Sequence, residues 1–331
     1  MNNFKCSNPV CKINETGKCV EGLTPEECSF VLLNDEENDC QDDEVQDEEI
    51  QEVEVVPNDT FVHRGNLLSL DSATKILMSG ESRVVAIVGP QEAGKTTLNL
   101  SFYESFQQNQ FGGRKFAGSL SLVTYEKLCH FSRIASGQFT PDTPRTSVTD
   151  DLGFMHLAVQ NDGITVDLLI SDRAGEFYSN IANSEESCKN LYEIIRADCS
   201  IFLVDGDKFS SDEKNGIKQD LLMIIDTLID EKILNNHSKI IVVLTKYDRL
   251  IGHQSEGNLL KDYEEFCEFI RKRYQSDIQE IGFSKVAARS KNSAIESGYG
   301  VEELFSEILK PRIIEKYNSD HEILHDRYFY K

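Results

Sequence analysis

No apolar run in this chain of 331 residues reaches the roughly 18 needed to span a bilayer. The N-terminus also lacks the basic-then-apolar segment of a secretory signal. Together these point to a cytoplasmic protein with no membrane association, in which the nine cysteines do not build a disulfide framework. Positive charge is scarce, with 34 Lys and Arg against 57 Asp and Glu and a net charge of −23. That balance excludes non-specific binding to nucleic acid or to anionic membranes. It does not exclude a nucleotide, whose phosphates can be neutralised locally by backbone N–H groups, one Lys and a cation. No internal repeat is found, and the closely spaced C-x₂-C pairs of common zinc ribbons are missing.

What is present falls into three regions. Residues 1–33 form a head holding Cys6, Cys11, Cys19 and Cys28 among Gly, Pro and Asn. Residues 34–58 are almost uniformly acidic, a composition that repels itself and buries little, and are expected to be a disordered linker. Residues 59–331 alternate short apolar runs with helical patterns, the βαβ signature of a mainly parallel sheet. Six strands are expected at 84–88, 154–159, 164–170, 199–204, 239–244 and 282–288. The second and third flank an Asp162-Gly163 step and make a hairpin, so one strand runs against the others. Helices are expected at 95–109, 120–135, 185–196, 215–232, 258–274 and 300–309, with 111–142 forming a helical insert.

The strongest motif is Gly89-Pro90-Gln91-Glu92-Ala93-Gly94-Lys95-Thr96-Thr97, which fits G-x-x-x-x-G-K-[ST] between an apolar strand and a helix. The glycines let the loop wrap so that successive N–H groups face the phosphates, and the helix N-terminus adds its positive end. Lys95 is expected on the β- and γ-phosphates and the Thr96 hydroxyl on Mg²⁺. Thr245-Lys246-Tyr247-Asp248 follows strand 239–244 and resembles the N/T-K-x-D motif that selects guanine. Its Asp248 carboxylate can accept from both the ring N–H and the exocyclic amine, a donor pair that adenine does not offer there. The Lys246 stem is expected along the base plane.

Asp172-Arg173-Ala174-Gly175-Glu176 follows strand 164–170 and resembles the D-x-x-G switch motif. Asp172 is assigned to Mg²⁺ through water and the Gly175 N–H to the γ-phosphate. Glu176 stands where Gln often orients the attacking water, and its charge both addresses water and repels phosphate. Ala287-Ala288-Arg289 stands where Ser-Ala-Lys often supports the base, with the Ala288 N–H on the guanine oxygen and Arg289 in place of Lys. Switch I must supply a Thr to close over Mg²⁺, and Thr146 is favoured over Thr149. Arg145, just before Thr146, matches the built-in arginine finger of heterotrimeric G-protein α subunits, with Glu92 able to pair with it; an ordinary solvated loop Arg is the other reading. The four head cysteines, separated by four, seven and eight residues, can close a structural Zn²⁺ site or remain unliganded. Cys129, Cys188, Cys199 and Cys267 fall in core elements as small hydrophobes. His130 and Arg133 are read as surface or packing residues.

These motifs, in this order, resemble the translation-factor-related (TRAFAC) P-loop GTPases over residues 80–310. Within that class the chain is similar to the bacterial double-GTPase group associated with conflict and defence gene clusters. That finer resemblance rests on Phe116-Ala117-Gly118-Ser119, Thr143-Pro144-Arg145-Thr146-Ser147, Ser171-Asp172-Arg173-Ala174-Gly175-Glu176 and Thr16-Gly17-Lys18-Cys19-Val20-Glu21-Gly22. It implies a small-GTPase-like α/β fold with helices on both faces of the sheet, and a switch driven by GTP and GDP that protein partners read. Three functions stay open: a slow GTPase switch, a GTP-binding module with negligible turnover, and an ATPase of another P-loop class. The last is disfavoured by Thr245–Asp248 and by the single Asp of the switch motif.

Overall fold

The computed structural model describes residues 65–108, 111, 113–132, 152–161, 163–179, 188 and 190–311, with the backbone of two short strands at 5–6 and 31–32. The chain divides into two units, Met1–Thr60 and Phe61–Lys331. In the first, β1 (Lys5–Cys6) pairs antiparallel with β2 (Val31–Leu32), placing Cys6 opposite Val31. Cys11, Cys19, Cys28 and the acidic stretch 34–58 lie outside the described residues.

The second unit is built on a seven-stranded sheet. Its strands are β3 (Ser82–Val88), β4 (Lys115–Gly118), β5 (Gly153–Asn161), β6 (Ile164–Asp172), β7 (Cys199–Asp205), β8 (Lys239–Thr245) and β9 (Glu280–Lys285), in the spatial order β4-β5-β6-β3-β7-β8-β9. β5 is antiparallel to both of its neighbours, and the remaining pairs are parallel. The hairpin expected at Asp162-Gly163 is present, with Asn161 opposite Ile164. The strand count is corrected from six to seven. The additional strand, β4, lies inside the segment expected to be helical and extends the sheet beyond β5.

Apolar runs explain the layering. β3, β7 and β8 are nearly continuous Val, Ile, Leu and Phe, which suits strands covered on both faces. Alternate residues serve opposite sides. Ala86, Val88, Phe202, Val204, Val242 and Leu244 join one core, and Val85, Ile87, Ile201, Leu203, Ile241 and Val243 join the other. Over the first core lie the short α6 (Gly206–Phe209), α7 (Lys214–Asp230) and α8 (Glu256–Tyr274), which contribute Phe209, Leu221, Ile225, Tyr263 and Ile270. Over the second lie α2 (Lys95–Gln107), α3 (Leu122–Ser132) and α9 (Val301–Leu309), with Leu98, Phe102, Tyr125 and Phe305.

α1 (Leu70–Ser79) was not expected from the sequence. Ser69 caps it by accepting the Ser72 N–H at 3.4 Å, and Ala73, Ile76 and Leu77 pack with Val84, Phe154 and Leu169. Of the helix expected at 185–196, residues 185–187 and 189 lie outside the described residues; Cys188 is helical, and after a break at 190–191 comes the single turn α5 (Tyr192–Ile195). Cys129, Cys188, Cys199 and Cys267 are all buried, as expected of cysteines placed in core elements. Burial pushes the Cys199 thiol up to about 12 and the Cys267 thiol up to about 11, so both behave as apolar filler.

Candidate functional site

The C-terminal ends of β3, β6, β7 and β8 converge, which is where open α/β sheets place their ligands. β3 and β6 pair only as far as Val85 opposite Ile170. Beyond that the strands are joined by a side chain, the buried Ser171 hydroxyl accepting the Ile87 N–H at 3.0 Å. The separation makes room for the loop 89–94.

That loop leaves β3 at Gly89 and enters α2 through Gly94, whose φ of 93° is the left-handed conformation that glycine tolerates. Glu92 also has positive φ, at 65°, and is exposed, while Gln91, Thr96 and Thr97 are half-buried and Ala93 is fully buried. Left-handed residues at 92 and 94 are the kind of backbone pattern from which anion-binding concavities are built. Lys95 lies across it, donating to the carbonyls of Gly89 at 2.9 Å and Pro90 at 3.0 Å. Burial lowers the Lys95 ammonium to about 8, while the nearby Asp172 and Glu176 carboxylates work against the shift. A polyphosphate placed here would supply the negative charge that this buried ammonium needs.

The switch motif meets this loop directly. Gly175 opens the short helix α4 (Gly175–Ser179). A Cβ on Gly175 would stand 2.4 Å from the Gln91 backbone N and 2.6 Å from Lys95 Nζ. Only glycine lets the two segments approach so closely. The structure therefore gathers Lys95, Asp172, Gly175 and Glu176 around one point, although the sequence separates them widely.

On the far side, Thr245 ends β8 and ties the two motifs together: its hydroxyl donates to Ala93 O at 2.8 Å and lies 3.2 Å from Val204 O. Lys246 follows with φ 49°, its ammonium 2.9 Å from Asp205 and 3.5 Å from Asp207. Asp248 is 3% exposed, and one carboxylate oxygen accepts the Lys291 N–H at 3.0 Å. Asn292 clamps the same turn, donating to Asp248 O at 3.2 Å and Ile251 O at 2.7 Å. Ala288 is half-buried in the adjoining loop. The Arg289 guanidinium is paired with Glu104 of α2 at 3.2 Å, so its charged end is committed to that helix.

Sequence reasoning did not single out Asp205, Gly206, Lys291 or Asn292. Gly206 had a legible signal, an Asp-Gly step directly after an apolar strand. A Cβ there would stand 2.4 Å from Thr245 O, so its absence lets β7 abut the Thr245–Asp248 segment. Lys291 and Asn292 act through backbone contacts that no local pattern announces. Arg145 and Thr146 of the expected switch I lie outside the described residues, as do Thr149 and Arg133. His130 is exposed. Among the described residues no three His, Cys, Asp or Glu are grouped to hold a metal ion, and no helix is long and apolar enough to cross a membrane.

No curated protein matches the chain. A family model described as Double-GTPase 2 matches residues 83–309, a span that begins in β3 and ends with α9 and so contains every motif assembled above except the head. The chain belongs to the Double-GTPase 2 family.

Proposed function

We propose that this protein is a GTP-binding switch that requires Mg²⁺ and hydrolyses GTP slowly, and that its GTP and GDP states are read by a protein partner within a bacterial conflict or defence system. Membership of a GTPase family implies GTP binding. The observation that supports a switch most directly is the seat of Gly175 against Gln91 N and Lys95 Nζ. A γ-phosphate entering the P-loop must displace or engage that contact, which couples the nucleotide state to the 172–176 turn.

Each residue then has a task. Backbone N–H groups of 91–97 and the Lys95 ammonium bind the phosphates, and the N-terminus of α2 adds its partial positive charge. Asp248 reads guanine, held in place by the Lys291 N–H and the Asn292 clamp. The Lys246 stem covers the base, anchored by Asp205, and the Ala288 N–H faces the guanine oxygen, with the Arg289 stem beside it. The oxygen donors Thr96, Asp172 and Thr146 suit a hard cation, and Asp172 lies near enough to Lys95 to act on its charge. When bound, Mg²⁺ neutralises charge on the β- and γ-phosphate oxygens. Glu176 orients the attacking water, and Arg145 places positive charge on the transferring group, with Glu92 steadying it. In the head, Cys6, Cys11, Cys19 and Cys28 close a structural Zn²⁺ site.

Binding without turnover is a second reading, favoured by one observation: the residue after Gly175 is an acid placed close to Lys95. Single-turnover hydrolysis separates the two. A slow GTPase with a built-in finger loses at least about 10²-fold in rate on Arg145→Ala, with GTP affinity little changed. Glu176→Ala slows the reaction as well, and Glu176→Gln preserves or raises it. A parental protein that releases no phosphate from bound GTP favours the second reading. Arg145→Ala at the parental rate excludes the finger.

A further inference from the structure

Arg173, the second residue of the switch motif, has no part in nucleotide binding in the account above. Its neighbours Asp172 and Gly175 face Lys95, whereas Arg173 is buried among other groups and is 5% exposed. Its Nε lies 3.1 Å from Glu193 Oε1 of α5, its Nη2 donates to Asn190 O at 3.1 Å, and its guanidinium sits 4.0 Å above the Phe177 ring. Glu193 is 0% exposed, and the same carboxylate oxygen accepts the hydroxyl of the fully buried Tyr178 at 3.1 Å. Ser171, just before the switch turn, accepts the Ile87 N–H of β3, two residues before the P-loop. Polar contacts thus flank the switch turn, to the P-loop strand on one side and to α5 on the other.

We propose that Arg173, Glu193 and Tyr178 form a buried positioning device that sets the 172–176 turn against the P-loop, making Arg173 and Glu193 positioning residues for recognition of the γ-phosphate and for GTP hydrolysis. The proposal rests on the GTPase reading. Its physical basis is that a buried ion pair is a poor source of stability. Removing two charges from water costs about as much as their attraction returns, and apolar residues of similar size fill such a site equally well. What apolar residues lack is direction. The pair, the ring contact and the hydrogen bond to Asn190 O fix where Arg173 sits, and so fix the backbone of the residues on either side. Burial raises the Glu193 carboxyl, and the Arg173 charge opposes that shift, which binds the two residues to one another. Arg173 Nε, which meets Glu193 as an ion pair only, Arg173 Nη1 and Glu193 Oε2 make no hydrogen bond among the described residues. The cluster therefore retains capacity for a second arrangement when the nucleotide changes.

The test compares parent, Arg173→Met/Glu193→Leu and Glu193→Gln in the full-length protein, measuring thermal midpoint, affinity for GDP, affinity for a non-hydrolysable GTP analogue, and single-turnover hydrolysis. The double variant should keep parental GDP affinity, lower the midpoint only by the loss of the acceptor for the Tyr178 hydroxyl, bind the GTP analogue about tenfold more weakly, and hydrolyse GTP about 10²-fold more slowly. Glu193→Gln keeps the shape without the charge and should show smaller losses of the same kind; it carries the test if the double variant does not fold. A folded variant with the parental ratio of GTP to GDP affinity and the parental rate overturns the proposal. Equal loss of GDP and GTP binding also overturns it, because the cluster is then a fold element only. A parent that binds neither nucleotide removes the GTPase reading itself, a result distinct from all of these.

Discussion

Gly175 is where one atom decides most. Every other residue type would drive its Cβ to 2.4 Å from the Gln91 backbone nitrogen, and backbone cannot swing aside as a side chain does. Gly175→Ala must therefore separate the switch turn from the P-loop. Overpacking of this kind costs about 1–3 kcal/mol, and here the strain falls on the turn proposed to sense the γ-phosphate. The expected outcome is GDP affinity close to parental with GTP affinity reduced about tenfold, read by titration with GDP and a non-hydrolysable GTP analogue. Equal affinities for the two in parent and variant would show that the close approach has no bearing on nucleotide state. Lys95 illustrates the same economy from the electrostatic side. It is held in a loop of carbonyls and buried enough to be lowered to about 8, a setting that makes sense with phosphate oxygens beside it.

Among the elements, the strand ends matter more than the strands. Thr245 closes β8 and bonds to Ala93 in the P-loop, so the turn proposed to read the base and the loop proposed to bind the phosphates are held at one separation. Thr245→Val keeps the shape and removes the donor. It should cost about 1–3 kcal/mol of stability and weaken GDP and GTP equally, since both share base and β-phosphate; a denaturant midpoint and paired titrations check this, and an unchanged GDP affinity would deny the tether a role. The central elements were legible in the sequence because each motif directly follows an apolar strand. The departures have physical reasons. β4 is four residues, Lys-Phe-Ala-Gly, mostly exposed and without alternation, and it is a strand only because β5 offers an edge. The last strand stops at Lys285 rather than 288 because, although the Val286 N–H still donates to Leu244 O of β8 at 2.8 Å, the next groups find partners outside the ladder. Val286 C=O accepts the Tyr247 N–H at 3.0 Å, and Ala287 pairs with Tyr299. α1 had a cap and the right apolar spacing but only ten residues in which to show them. The Arg173–Glu193 pair joins two segments through tertiary packing alone, and nothing local to either marks it.

At the scale of the whole molecule, the acidity and the two units set what the protein can do. A net charge of −23 leaves nucleotide binding to local devices, and the site supplies them: carbonyl-seated Lys95, turned N–H groups and a helix N-terminus. The head holds four of the nine cysteines, with Cys6 in β1 and the other three falling in sequence between β1 and β2. It should carry one Zn²⁺ through Cys6, Cys11, Cys19 and Cys28, independently of nucleotide. Metal analysis of protein prepared without chelator tests this, and less than about a tenth of an equivalent would leave the cysteines unliganded.

The central claim is that these residues together read guanine on a polyphosphate. Calorimetric titration of the full-length protein with GTP, ATP and xanthosine triphosphate in the presence of Mg²⁺, repeated on Asp248→Asn, tests it most directly. The account predicts GTP binding at least about 10²-fold tighter than ATP in the parent. In the variant it predicts weakened GTP binding and a shift toward xanthosine triphosphate, whose ring presents an acceptor where guanine has its amine. Equal affinity for ATP and GTP in the parent, or full GTP selectivity in Asp248→Asn, would contradict it.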